Sequence, residues 1–171
     1  MPDPGFAAAL RLLARRDHFR AELAEKLRDK DFSEEEIEAA VARCAQEGYL
    51  DDERVARRFV ERRAVSKGWG PRRLRLELEK RGASSEVAAA ASDLGEAQEE
   101  RVLAVALAKA ELRARAGWWR LHEARGRMIS SLVNRGFATD VAVQAVERLA
   151  AERERTDDAS DVQLRDSQDF S

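Results

Sequence analysis

Apolar residues recur along this chain at helical rather than strand spacing. Phe6, Leu10 and Leu13 fall on one face, and Leu23 and Leu27 stand four residues apart, which stacks them one turn above the other. Ser33-Glu34-Glu35-Glu36 spells a capping box, in which the serine oxygen takes a free N–H and Glu36 reaches back. The helix it starts carries Ile37, Val41 and Cys44. Asp51-Asp52-Glu53 supplies acceptors for the start of a fourth helix with Val55, Ala56, Phe59 and Val60, and Pro71 opens a fifth with Leu74 and Leu78. Ser84 or Ser85 caps a short alanine-rich helix with Val87 and Leu94. A long helix is predicted from near Glu96 to about Ala116, then one carrying Trp118, Leu121, Met128 and Leu132, then one capped by Thr139. Of the adjacent Trp118 and Trp119, one is expected in the core.

Leu23, Leu27, Phe32 and Ile37 match Leu74, Leu78, Ala83 and Val87, and again Met128, Leu132, Phe137 and Val141. One pattern thus occurs three times. Each unit is helix, helix, capped helix, and none alone buries much core, so the expected fold is all-α, with three tandem three-helix repeats packed into an elongated array. The expected boundaries are a flexible leader over 1–5, repeats over 6–47, 48–94 and 95–151, and an acidic, disordered tail over 152–171, where the apolar pattern fades. An array offers a long surface rather than a pocket, which favours binding an extended partner over catalysis.

Composition narrows the chemistry. Three prolines in 171 residues agree with a helical chain. No apolar run has the length of a signal peptide or a membrane span, so a soluble, cytoplasmic protein is expected. A single cysteine, Cys44, with only His18 and His122, supplies no zinc set and no activated nucleophile, and no phosphate-cradling loop appears. Neither enzyme activity nor a cofactor is expected. Asp51 and Asp52 read as helix caps, since neighbouring residues at a helix start diverge.

The net charge of −2 hides strong segregation. Asp29 to Glu53 holds ten acidic and two basic residues, whereas Arg54 to Arg81 holds eleven basic and three acidic. The basic block reads as a track for phosphates or for acidic groups of a partner. Its candidate residues are Arg57, Arg58, Arg62, Arg63, Lys67, Trp69, Arg72, Arg73, Arg75, Lys80 and Arg81. Lys67, Arg72, Arg73 and Arg75 come first, because they surround a glycine-flanked helix start whose backbone N–H groups would add to anion binding. The competing reading is a solvated helix face laced with i,i+4 ion pairs. Trp69 is placed equally well to stack on a base or partner and to plug the seam between repeats. Helix pairs of this kind also fit a direct DNA-binding module, and a plain helical adaptor is the third reading.

The run Gly48-Tyr49-Leu50-Asp51-Asp52-Glu53, with Phe59, Arg63 and then Lys67-Gly68-Trp69-Gly70-Pro71-Arg72-Arg73-Leu74, resembles the signature of the RecX family. So do Glu77-Leu78-Glu79-Lys80-Arg81-Gly82 and the earlier Arg20 to Leu27 segment. The resemblance spans roughly residues 7–150 and is most specific over 48–82. It implies a curved, elongated regulator of the RecA recombinase that takes part in DNA repair, recombination and the SOS response. It further implies binding of RecA filaments on single-stranded DNA along the helical groove, with suppression of ATP hydrolysis and strand exchange and no catalytic residues. A monomer is expected.

Overall fold

The computed structural model describes residues 3–168, with side chains through residue 158. Among the described residues there are nine α-helices, one short 3-10 helix and no strand. The helices are α1 (Pro4–Leu13), α2 (Arg20–Arg28), α3 (Glu34–Gln46), α4 (Asp52–Lys67), α5 (Pro71–Glu79), α6 (Ser85–Ser92), α7 (Gly95–Glu111), α8 (His122–Asn134) and α9 (Thr139–Gln168). They form a helical repeat array, as the threefold pattern predicts.

Local chemistry sets the starts. The Asp3 carboxylate accepts the N–H groups of Gly5 and Phe6 at 2.9 and 3.2 Å, and Pro4 takes the first helical position, where its missing N–H costs nothing. Pro4 and Gly5 therefore belong to α1 rather than to a leader; Met1 and Pro2 lie outside the described residues. Ser33 and Glu36 make the reciprocal capping box on α3. The two aspartates before α4 serve different helices: Asp51 accepts the N–H of Arg54 at 2.9 Å, and Asp52 accepts that of Arg20 at 3.0 Å. Burial pushes the Asp52 carboxyl above the usual range, against the opposing pull of its bond to Arg20.

One closing geometry occurs in all three repeats. The carbonyls of Leu27, Leu78 and Leu132 accept the N–H five residues on, from Phe32 (3.4 Å), Ala83 (3.1 Å) and Phe137 (3.3 Å). Such a closure puts the residue before the donor in the left-handed region: Asp31 at φ 63°, Gly82 at 92° and Gly136 at 95°. The glycines have a second reason. A Cβ on Gly82 would lie 3.1 Å from the Cβ of Ala21, and one on Gly136 would lie 2.2 Å from the backbone nitrogen of Arg73. Each glycine thus rests on the first turn of the equivalent helix one repeat earlier. Asp31 is exposed among the described residues and keeps a side chain.

The chain divides into two compact units, the first taking residues up to Ser66 with Leu74–Gly95, the second Lys67–Arg73 with the residues from Glu96 on. Within the first, Phe6, Ala9, Leu23, Leu27, Ile37, Ala40 and Cys44 make a continuous core. The Cys44 thiol is buried, which pushes its pKa up and leaves it unreactive. Within the second, Val102, Trp118, Met128, Leu132, Phe137 and Val146 are buried. Trp118 is the tryptophan that enters the core, and it does so from the 3-10 helix Trp118–Arg120, because α7 stops at Glu111 rather than near Ala116.

The last helix departs most from expectation. α9 continues past Glu152 to Gln168, through the stretch whose fading apolar pattern predicts disorder. Residues 152–168 contain neither proline nor glycine. Ion pairs hold the early part of that stretch: Arg153 donates to both oxygens of Glu111 (2.7 and 3.0 Å), Arg125 reaches Glu147 and Glu154 (3.0 and 2.8 Å), and Arg120 reaches Asp157 (2.6 Å). Residues 169–171 of the expected tail lie outside the described residues. No helix among the described residues is long and apolar enough to cross a membrane, and no group of three or more potential ligands that could hold a metal is found among them.

Candidate binding site

The structure separates the basic block into three groups. The first borders a cleft of about 750 Å³ in the first unit. α4 turns Phe59, Arg62, Arg63 and Ser66 toward it, the segment after α5 adds Arg81, the end of α1 adds Leu13, and the α1–α2 connection adds Arg15, Arg16 and Asp17. The spacing of α4 explains the convergence, since residues three and four apart share a face.

The cations of the cleft are held in different ways. The Arg81 guanidinium lies 4.9 Å from the centre of the Phe59 ring and that of Arg63 lies 6.0 Å from it. Arg62 Nε donates to the Arg58 carbonyl at 3.2 Å. Arg58 turns to Asp17, with Nη1 3.0 Å from Oδ2. Arg16 donates through both terminal nitrogens to Glu22, and the buried His18 places Nδ1 3.1 Å from the same carboxylate. Burial raises the pKa of Glu22, but the hydrogen bonds and charges of Arg16 and His18 together outweigh it and hold the carboxyl below its usual range. Arg15, Arg62, Arg63 and Arg81 make no ion pair among the described residues.

The second group occupies Lys67–Arg73, in the second unit. Here the backbone does the positioning. The N–H of Gly70 donates to the Arg135 carbonyl at 2.8 Å and that of Arg72 to the Gly136 carbonyl at 3.2 Å. A Cβ on Gly70 would come within 2.9 Å of the Gly136 backbone. These two N–H groups are therefore engaged, which corrects the expectation that the helix start offers them to an anion. Lys67 and Arg72 are exposed, and Trp69 is half-buried with the Arg73 guanidinium 5.4 Å from its ring centre. Arg135 adds a cation beside this segment, its pKa lowered by burial and by the neighbouring charge of Arg113.

The third group fits the solvated-face reading. Arg57 pairs with Glu53 (3.6 Å), Arg75 with Glu79 (3.0 Å) and Lys80 with Glu77 (3.9 Å), all surface pairs about one helical turn apart. Arg15 and Arg16 are cleft residues that reading the basic block misses, because they lie outside it, in the α1–α2 connection. The repeat register carries a signal for them: aligning Leu23 with Leu74 puts Arg16 on Lys67.

Comparison with known proteins gives a consistent answer. Two family descriptions match: "RecX, first three-helix domain" over residues 6–44 and "RecX, second three-helix domain" over residues 51–91, the first two helix triplets. A protein named Regulatory protein RecX from Thermus thermophilus is 43% identical over 152 residues, covering 89% of this chain and 96% of its own length. A protein of the same name from Pseudomonas syringae pv. tomato is 50% identical over 74 residues, 43% of this chain and 47% of its own. The crystal structure of RecX from Lactobacillus salivarius superimposes with a TM-score of 0.75 over 85% of this chain and 94% of that one, at 23% identity, a likeness of fold.

Proposed function

The chain belongs to the RecX family of regulatory proteins, and from that premise we propose that it is a negative regulator of the RecA recombinase. It binds RecA filaments on single-stranded DNA and suppresses their ATP hydrolysis and strand exchange, acting in the cytoplasm as a monomer without catalysis of its own. The observation that carries this reading is the 43% identity to a RecX regulatory protein across nearly the whole of both chains. The arrangement of charge supports it as well. A filament presents acidic protein side chains and DNA phosphates side by side, and this chain carries two separate basic groups, one in the cleft and one on Lys67–Arg73.

The test is a titration of the protein into RecA on single-stranded DNA, following ATP hydrolysis and strand exchange. Stoichiometric or smaller amounts are expected to slow both. If the folded protein leaves both rates unchanged, the proposal fails. A second reading, direct DNA binding, draws on the exposed Lys67 and Arg72, which have no ion pair among the described residues. It predicts tight binding to naked DNA with a base-sequence preference; binding that depends on salt but not on sequence counts against it.

A further inference from the structure

We propose that the cleft of the first unit holds an acidic segment of a protein partner with an apolar anchor, not the phosphate backbone of a nucleic acid. This rests on the regulatory reading above and assigns the cleft to the protein side of the filament.

The cations point to an anionic partner. Arg15, Arg62, Arg63 and Arg81 approach the cleft from three parts of the chain and lack ion pairs among the described residues, so their N–H forks remain open to a partner. Arg63 and Arg81 rest on Phe59, which reduces the freedom their planar groups lose when they pair.

Two features disfavour a nucleic acid strand. Single strands are gripped by open aromatic faces on which bases stack. Here Phe59 is 7% exposed beneath two guanidinium groups, and Phe19 is 2% exposed. Finally, Leu13 and Val55 are half-buried in the lining and offer an apolar seat that a sugar–phosphate backbone does not use. A volume of about 750 Å³ accommodates several side chains.

The experiment compares the wild-type chain with Arg15→Glu/Arg62→Glu and the milder Arg15→Gln/Arg62→Gln. Both positions are exposed, and circular dichroism and thermal unfolding check that the variants stay folded. Affinity is measured for RecA filaments on oligo-dT and for naked oligo-dT, each over a range of salt. The proposal expects the double reversal to weaken filament binding about tenfold or more, with the neutral variant weaker in the same direction and naked-DNA affinity and its salt slope unchanged. A parallel loss on naked DNA assigns the cleft to phosphates and overturns the proposal. Unchanged filament binding overturns it too, because the cleft is then no site at all. Failure of the regulatory reading shows separately, as a wild-type chain that leaves filaments unbound, and it takes this proposal with it.

Discussion

In the cleft of the first unit, guanidinium groups are held by side chains: Arg81 and Arg63 lie on the Phe59 ring, Arg16 on Glu22 and Arg58 on Asp17. In Lys67–Arg73 of the second unit the backbone does the holding, through the N–H groups of Gly70 and Arg72 on the carbonyls of Arg135 and Gly136. The two groups carry similar charge and fail differently. A cleft built from side chains is tuned in small steps, because each contact is partly solvated and contributes little. A segment built from backbone contact has no slack, because nothing there can rotate out of the way.

Four substitutions test that contrast. The largest effect belongs to Gly136→Ala, which places a Cβ 2.2 Å from the Arg73 nitrogen in a left-handed conformation. It is expected to lower stability by about 3 kcal/mol or more in urea unfolding, and a loss below about 1 kcal/mol contradicts a rigid backbone seat. Phe59→Leu should cost about 1–2 kcal/mol by removing the ring beneath Arg63 and Arg81, and should weaken filament binding several-fold in the titration above.

Glu22→Gln is expected to cost about 1 kcal/mol at neutral pH, since Arg16 is half-exposed and the pair partly screened. The sign with pH follows from the lowered pKa: the native carboxylate's contribution is complete above the ordinary glutamate range and is lost as pH falls through its folded-state value. Thermal unfolding should therefore show the variant's deficit closing in acid; a deficit that persists there assigns the loss to packing. Arg57→Gln should change stability by less than about 0.5 kcal/mol and leave filament affinity unchanged, because its pair with Glu53 is exposed.

Much of the fold can be read from the residues that stop and start helices. Ser33 with Glu36, Pro71 and the paired leucines each leave a local signature, and each sits where that signature predicts. Residues 3–5 mislead because Pro and Gly suggest a loose leader, whereas Asp3 before Pro4 is a helix start. The end of α9 misleads for the opposite reason: a helix can continue on propensity and ion pairs after its apolar stripe has ended. The cleft is the least legible part. Reading the sequence finds Arg62, Arg63 and Arg81 but gives Lys80 equal standing and ranks Arg75 above them, and only packing separates cations that converge from cations paired along one helix face. Arg15 enters the cleft through the fold of the first unit, with no signal in the basic block itself.

The left-handed closing residue tells the repeats apart. An aspartate, which closes the first repeat at Asp31, does not fit the position of Gly136, where a Cβ would lie 2.2 Å from the Arg73 nitrogen. In α8 the position equivalent to Ala21 is Gly126, where a Cβ would meet nothing within 4 Å. A single stereochemical position thus distinguishes a closing residue that stands in the open from one pressed against its neighbour.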